Sequence, residues 1–209
     1  MKILNLYAGI GGNRKLWEDC EVTAVEYDER IAKIYQHHFP NDTMIIGDAH
    51  KYLLEHFQEY DFIWASPPCP SHSRLNFTNF AKHSKVDYPD MTLYQEIILL
   101  QTWFKGKYCV ENVISYYEPL IKPIESNSHY FWTNFPIRKL ENKKRGIGFD
   151  IPNEVRAKIT GFNLDEHKLT KGFEKKVLNN CTEPETGLHI LDCARGIIKA
   201  ENVSQTQLF

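Results

Sequence analysis

Cys-x-x-Cys motifs, long apolar runs and a strong net charge are all missing from this chain of 209 residues. Its five cysteines are odd in number, which together with their spacing argues against a disulfide scaffold or a zinc knuckle. No apolar run approaches the ~18 residues of a membrane span, and the N-terminus shows no signal-peptide pattern. We therefore expect a cytoplasmic protein with one sizeable core, no membrane partner and no bound metal.

Charge is unevenly distributed along the chain. Residues 137–178 contain eleven Lys and Arg against six Asp and Glu, whereas the net charge of the whole chain is −2. The densest basic stretch covers residues 138–145. A local basic face can hold phosphates on a mildly acidic protein, although such a run is also typical of a solvated surface loop.

Strand-like and helix-like segments alternate from the N-terminus to Val113. Strands are predicted at residues 3–6, 22–25, 43–46, 61–65 and 108–111, and helices at residues 13–19, 29–38, 51–58 and 92–104. This alternation predicts an α/β fold with a mostly parallel sheet flanked by helices. The remaining predicted elements are a polar loop over 66–90, late strands at 130–133 and 135–139, and a terminal helix over 184–200.

Glycine or acidic residues follow the first three predicted strands. The first ends in a glycine turn, Gly9-x-Gly11-Gly12, which lets the backbone approach a ligand closely. Glu26 closes the second strand and suits a ribose diol, and Asp48 closes the third, where it could bind an adenine amino group. Together they favour a nucleoside cofactor with little phosphate, because no P-loop lysine follows the glycines. Each alone is equally consistent with a structural turn or a helix cap.

Two further strand ends carry a thiol and a carboxylate. Cys69 lies among prolines in the run Pro67-Pro68-Cys69-Pro70 after the fourth predicted strand, and Glu111 ends the fifth. Because proline fixes φ and removes an N–H, this run cannot extend the strand. The carboxyl ends of parallel strands meet at one edge of a sheet, so the pair predicts a nucleophile and an acid in one crevice. The alternatives are an inert buried cysteine and a buried structural acid.

Taken in order, these motifs resemble those of the DNA cytosine-C5 methyltransferase family. Residues 6–12 look like its first cofactor motif, and Glu26 and Asp48 match its ribose and adenine acids. Pro68-Cys69 matches its catalytic Pro-Cys, and Glu111-Asn112-Val113 matches its Glu-Asn-Val. Residues 130–136 resemble the strand after its arginine motif, and residues 179–181 its closing motif. The resemblance implies a Rossmann-like methyltransferase fold, S-adenosylmethionine as cofactor and double-stranded DNA as substrate.

The resemblance also implies a role for each matching residue. Cys69 and Glu111 would be catalytic. Cofactor binding is expected from Tyr7, Ala8, Gly9, Gly11, Gly12, Glu26, Tyr27, Asp48, Ala49, Pro67 and Asn180. Substrate binding is expected from Pro68, Ser71, Ser73, Arg74, Asn112, Val113 and His129. The chain would then divide into a catalytic and cofactor-binding core (1–136), a reduced basic target-recognition region (137–178) and a C-terminal segment that returns to the core (179–209).

Three features depart from the family pattern. The family's Arg-x-Arg is replaced by Asn127-Ser128-His129, and Asn179 replaces the glycine of its closing Gly-Asn. His129 can still donate a hydrogen bond, with less fixed charge than arginine. The recognition region is short, from which we expect short or relaxed sequence specificity, or recognition supplied by a partner or a second copy.

The mechanism that the resemblance implies begins with a target cytosine leaving the base stack. Cys69 would attack C6 as a thiolate, so we expect a depressed pKa for its thiol. Glu111 would hydrogen-bond N3 and the amino group of the base. Host marking or protection against restriction, in a bacterial or phage-infected cell, would follow by analogy.

Four alternatives stay open at this point. An amino-methyltransferase would explain Ser66-Pro67-Pro68, but Cys69 stands where those enzymes carry an aromatic residue. The same cysteine chemistry also acts on tRNA, and a modified sulfonium donor would transfer a larger group. A non-catalytic relative would bind only cofactor or nucleic acid. The presence of Cys69, Glu111 and both cofactor acids favours an enzyme.

Overall fold

The computed structural model describes residues 1–83, 88–140 and 151–199. Within these ranges the strands are β1 (Lys2–Leu6), β2 (Glu21–Glu26), β3 (Thr43–Ile46), β4 (Phe62–Ala65), β5 (Lys107–Val113), β6 (Ile124–Ser126) and β7 (His129–Thr133). They form one seven-stranded sheet in the order β3-β2-β1-β4-β5-β7-β6. The first five strands pair in parallel, and β7 runs antiparallel to β5 and β6. This arrangement confirms the predicted mostly parallel α/β sheet.

Helices flank the sheet. The α-helices of the described ranges are α1 (Glu29–His38), α2 (Ala49–His56), α3 (Leu75–His83), α4 (Thr92–Trp103), α5 (Asn153–Thr160), α6 (Lys171–Asn179) and α7 (Pro184–Ala194). The Asp28 side chain caps α1 and the Asp48 side chain caps α2, each by accepting a hydrogen bond from a backbone N–H of the first turn. None of these helices is both long and apolar enough to traverse a bilayer.

Alternate residues of the central strands point to opposite faces of the sheet and build two apolar clusters. On one face, Leu6 and Ile63 pack against side chains of α2 and α4. On the other, Ile3 and Trp64 pack against Trp17 and side chains of α7. All four residues of β4 are buried, as expected for a central strand covered on both faces.

The segment after the sheet folds back onto the core. Helices α5 and α6 contact each other, and Phe162 and Leu178 join Ile10 and Ile34 in a third apolar cluster. The described part of the predicted recognition region therefore shares a core with the cofactor half of the chain. The division of the chain at residues 136–137 and 178–179 stays a prediction.

The early part of the chain differs from expectation in two places. The helix predicted over residues 13–19 is a series of turns. The Arg14 guanidinium donates hydrogen bonds to the Trp17 carbonyl and the Asp42 carboxylate, and these contacts hold the segment in a non-helical conformation. The polar loop predicted over residues 66–90 contains α3, whose start the sequence did not reveal.

The late part of the chain differs in two further places. The strand predicted at residues 135–139 does not form, and β6 pairs with β7 instead. The terminal helix ends at Ala194, and Gly196 adopts a left-handed φ of 73°, where a helix commonly stops. Residues 195–199 of its predicted range are not helical, so the helix is shorter than predicted. Residue 200 and most of the basic stretch at residues 138–145 lie outside the described residues.

Candidate active site

The ends of β4 and β5 lie side by side at the carboxyl edge of the sheet. Ala65 pairs with Val110 in parallel register, so Ser66 comes next to Glu111. The Ser66 hydroxyl donates to Oε2 of Glu111 at 2.8 Å and accepts from the Trp64 indole at 2.7 Å. Glu111 is 8% exposed. These hydrogen bonds fix the orientation of a buried carboxylate at the strand end.

The loop that carries Cys69 is tied to the end of β5. Nδ2 of Asn112 donates to the Pro67 carbonyl at 3.0 Å. The Cys69 carbonyl accepts hydrogen bonds from the backbone N–H groups of His72 and Ser73. The thiol therefore lies in a tight turn whose position depends on Asn112, the residue that follows Glu111. The Asn112 side chain also accepts from the N–H of Val113.

The thiol of Cys69 does not have the depressed pKa that the sequence predicted. Burial raises its pKa, and the Glu111 carboxylate raises it further, while a backbone hydrogen bond acts in the opposite direction. A second negative charge next to a carboxylate is unfavourable. The structure thus brings the two side chains into one site, but the free protein favours the neutral thiol.

His129 faces the same carboxylate from β7. Its Nε2 lies 3.6 Å from Oε1 of Glu111, and its Nδ1 lies 3.0 Å from the Asn127 carbonyl. Because a carbonyl only accepts, Nδ1 carries the proton. A neutral His129 consequently presents an Nε2 lone pair to Glu111, whereas a protonated His129 presents an N–H.

Asn127 and Ser128 form the two-residue turn between β6 and β7. Their φ angles are 47° and 62°, a region that asparagine tolerates better than most residues. Asn127 is buried and donates to the Thr186 hydroxyl of α7 at 2.9 Å. The position that the family pattern assigns to an arginine is thus a buried turn, and His129 is the residue of this stretch directed at Glu111.

A cavity of about 130 Å³ lies on another side of His129. Its walls come from the β6–β7 hairpin, α5, the end of α6 and the start of α7, and they include Asn127, Arg156, Asn179 and Glu183. Nε of Arg156 is buried, and no described residue accepts a hydrogen bond from it. The sequence analysis missed Arg156, because a lone arginine in a basic region has no spacing that distinguishes it.

The three glycines of the turn after β1 have different surroundings. A Cβ on Gly9, at a φ of 56°, would meet open space. Gly11, at a φ of 84°, lies against two aromatic rings at the end of α1. A Cβ on Gly12 would lie 2.2 Å from the Thr182 carbonyl oxygen, just beyond Asn180. The C-terminal segment therefore packs on the glycine turn, and Gly9 leaves room for a ligand to approach the backbone.

The acids at the ends of β2 and β3 contact the backbone around them. Glu26 accepts from the N–H of Gly9 at 2.9 Å and from the N–H of Asp28 at 3.0 Å. Each carboxylate oxygen keeps a second lone pair for a ligand. Asp48 caps α2 through one oxygen, so its helix-cap role is present, and the buried Ala49 follows it. Tyr27 is 81% exposed beside Glu26.

Tyr7 belongs to a hydrogen-bonded group with two residues that were not predicted from the sequence. Its hydroxyl donates to Oε1 of Glu96, a fully buried residue of α4, and Nδ1 of His50 lies 3.1 Å from the same oxygen. Burial and the Glu96 charge hold the pKa of Tyr7 well above its usual value, and the contact with Glu96 raises the pKa of His50. The sequence feature that could have identified Glu96 is a carboxylate among the apolar positions of α4. The buried Ala8 follows Tyr7.

The other predicted substrate residues lie on the loop after Cys69. Pro68 and Arg74 are exposed, whereas Pro67 is buried. The Ser71 hydroxyl accepts from the N–H of Asp90, and the Ser73 hydroxyl accepts from the N–H of Leu75 at the start of α3. Both serines thus order the loop. In the described ranges, no group of three or more His, Cys, Asp or Glu could hold a metal ion.

Comparison with solved structures bears on the fold. The chain superimposes on the Entamoeba histolytica methyltransferase EhMeth with a TM-score of 0.60 at 12% identity, covering 95% of this chain and 99% of that chain. A mutant of DNMT2 from Spodoptera frugiperda gives a TM-score of 0.43 at 18% identity, covering 70% of this chain and 56% of that chain. The first of these similarities identifies a Rossmann-like methyltransferase fold.

The sequence then places the chain within a family. Residues 1–115 match the family described as C-5 cytosine-specific DNA methylase, and the chain belongs to that family. Membership implies S-adenosylmethionine as the cofactor, and the open backbone at Gly9 next to the Glu26 carboxylate is compatible with an adenosine ligand. A comparison with curated proteins finds no match.

Proposed function

We propose that the protein methylates C5 of cytosine in DNA, with Cys69 as the nucleophile and Glu111 as the acid that binds the target base. The observation that carries this proposal is the junction of β4 and β5, where Glu111 acts electrostatically on the Cys69 thiol. Ser66 and Asn112 hold the two strand ends together. A nucleophile and a hydrogen-bonding acid on rigid strand ends are suited to one planar substrate.

Each group has one task in the proposed reaction. The target cytosine leaves the base stack, and Glu111 in its protonated form donates a hydrogen bond to N3 and accepts one from the amino group. The Cys69 thiolate forms an Sγ–C6 bond, which makes C5 electron-rich. Bound S-adenosylmethionine supplies an electrophilic methyl group on a sulfonium. After methylation, a water molecule takes the C5 proton, the C5=C6 double bond reforms, and the Sγ–C6 bond breaks to restore the thiolate.

Because the pKa of Cys69 is raised, formation of its thiolate depends on what is bound in the site. In the free protein, burial and Glu111 oppose the thiolate that must attack. Protonation of Glu111 on binding the base removes the negative charge that opposes the thiolate, and a cationic ligand nearby favours the thiolate. Binding of substrate and cofactor therefore increases the thiolate fraction of Cys69.

For the cofactor, we assign the ends of β1, β2 and β3. Glu26 would bind the ribose hydroxyls through its remaining lone pairs, and Asp48 the adenine amino group. The open backbone at Gly9 would lie against the ligand, and the exposed Tyr27 ring is available to cover its adenine. The contact between Gly12 and Thr182 supports a role for the Asn180 segment in closing this pocket.

The short region of residues 137–178 is the part of the chain that we expect to select the target site. Its described helices α5 and α6 pack against each other and onto the core, so the described part of this region is anchored to the catalytic fold and forms no separate domain. This packing supports a short target site, or one read with the help of a partner or a second copy.

A nucleoside analysis tests the proposal. The protein is incubated with S-adenosylmethionine and mixed-sequence unmodified DNA, and in parallel with RNA, before complete digestion and mass spectrometry. We expect 5-methylcytosine from DNA, none with Cys69→Ser, and wild-type yield with Cys20→Ser as a matched control. N6-methyladenine or N4-methylcytosine would assign an amino-methyltransferase, and 5-methylcytosine from RNA alone would replace DNA as the substrate.

A further inference from the structure

The cavity beside His129 contains a guanidinium with unused hydrogen-bonding capacity. Arg156 reaches this cavity from α5, and its buried Nε has no acceptor among the described residues. Buried donors almost always have a partner. An unpaired charged donor in a cavity wall therefore indicates a place for a ligand that accepts hydrogen bonds.

His129 connects this cavity to the proposed active site. The residue lines the cavity, while its Nε2 lies 3.6 Å from Oε1 of Glu111. A ligand in the cavity is thus separated from the Glu111 carboxylate by a single side chain. The hairpin wall is held to α7 by the hydrogen bond from Asn127 to Thr186, so the cavity is bounded by fixed elements.

The donor set restricts the chemistry of the ligand. A guanidinium has five N–H donors, no acceptor and a permanent charge. Its partner must therefore present an acceptor oxygen, as a pyrimidine carbonyl or a phosphate does. The turn at Asn127 cannot supply such a cation, which leaves Arg156 as the guanidinium that lines this cavity among the described residues.

We propose that Arg156 is a substrate-binding residue whose guanidinium, next to His129, donates hydrogen bonds to an acceptor oxygen of the target nucleotide. The oxygen belongs to the base carbonyl or to the adjoining phosphate. This inference rests on the proposed function, because the ligand is the nucleotide that the neighbouring Cys69 and Glu111 would act on.

The side chain of Arg156 can be changed without removing its backbone contacts. Its N–H bonds the Pro152 carbonyl, and its own carbonyl accepts from the Thr160 hydroxyl. Arg156→Gln should therefore preserve α5. Lys158→Gln is the matched control, because it removes one positive charge from an exposed position of the same helix.

The experiment measures binding of a fluorescent mixed-sequence DNA duplex by the full chain at several salt concentrations, with thermal unfolding and steady-state 5-methylcytosine formation. For Arg156→Gln we expect affinity or kcat/KM to fall about tenfold or more, the size of one good specific contact. A phosphate ligand would also make the slope of log K against log salt shallower by about 1, whereas a base ligand would leave it unchanged. Added guanidinium ion should restore part of the lost rate to Arg156→Ala.

Three outcomes separate this inference from the function it rests on. If the wild type forms 5-methylcytosine and Arg156→Gln resembles Lys158→Gln, the inference is wrong and the function stands. A loss that follows a lowered melting temperature, without guanidinium rescue, would assign Arg156 a structural role and also overturn it. If DNA binding depends on Arg156 but no modified nucleoside forms, the nucleotide contact stands and the proposed reaction fails.

Discussion

Nε2 of His129 and Oε1 of Glu111 lie 3.6 Å apart across the antiparallel pair of β5 and β7. The separation exceeds that of a hydrogen bond, so each group keeps bonding capacity for a ligand. Because Nδ1 is committed to the Asn127 carbonyl, only Nε2 can serve that ligand. The relationship therefore leaves Nε2 of His129 available beside Glu111 where the family pattern has an arginine, and this atom donates a hydrogen bond when the ring is protonated.

Replacement of His129 by glutamine should slow the reaction. A hydrogen bond to a charged group contributes about 1.5–3 kcal/mol, so we expect 5-methylcytosine formation to fall about tenfold or more. His129→Arg, which restores a permanent donor, should retain more activity than His129→Gln. Single-turnover rates at matched melting temperature provide the measurement, and a His129→Gln enzyme with wild-type rates would exclude the assignment.

Asn127 should matter for stability. Asn127→Ala loses the hydrogen bond to Thr186 and places an unfavourable residue at positive φ. We expect the free energy of unfolding to fall by about 1–3 kcal/mol, measured by urea denaturation. Asn127→Gly keeps the backbone freedom and should lose less. Equal losses in both variants would show that the turn conformation contributes nothing to the effect.

Glu111→Gln should make the thiol of Cys69 more acidic. The Glu111 carboxylate raises the pKa of Cys69, so removing its charge lowers that pKa and increases the thiolate fraction at a given pH. Burial remains, so part of the upward shift persists. Alkylation of Cys69 by iodoacetamide, followed by mass spectrometry with Cys69→Ser as background, should shift to lower pH in the variant. An unchanged profile would mean that the two groups do not interact.

The regular part of the fold was accessible from the sequence because each strand is short and apolar and ends near a glycine turn, an acid or the proline-rich run of Cys69. This pattern of residues at the strand ends allowed the five parallel strands to be predicted. It failed at β6, whose three residues pair only because Asn127 and Ser128 adopt positive φ. It also failed at residues 13–19, where the contact between Arg14 and Asp42 joins positions distant in sequence.

The candidate site was predictable only where its residues sit at strand ends. Cys69 and Asp48 follow a strand, and Glu26 and Glu111 lie near the carboxyl end of one, and the parallel sheet brings such positions to one edge. Arg156 and Glu96 lie within helices, and their relevance depends on which helix faces the site. The sign of the Cys69 pKa shift was wrong at the sequence level, because it depends on burial and on the proximity of Glu111.

Gly187 should be intolerant of a side chain. A Cβ at this position of α7 would lie 2.1 Å from the Asn13 carbonyl oxygen and 2.5 Å from its Cα. Because both atoms belong to the backbone, Gly187→Ala must displace the helix, and we expect a loss of about 1–3 kcal/mol of stability. Gly172→Ala in α6, where a Cβ would meet nothing within 4 Å, should leave the melting temperature unchanged or raise it.

His38 should make stability depend on pH below neutrality. Burial, followed by the positive charges of His37, Lys15 and His167, lowers its pKa to about 4 from the ordinary 6.5, while Glu166 acts in the opposite direction. Its ring packs edge-on against Phe162, with centroids 4.8 Å apart. The unfolded chain thus takes up a proton at a higher pH than the folded protein does.

Stability must therefore fall as the pH drops from about 6.5 towards 4, because protons bind the unfolded state in preference throughout that interval. His38→Gln removes this linkage, so its melting temperature should vary less between these pH values than that of the wild type. Thermal unfolding in a pH series measures the difference in slope. A wild-type slope in His38→Gln would assign the acid sensitivity to other groups, and a steeper slope would show that His38 stabilises the fold when protonated.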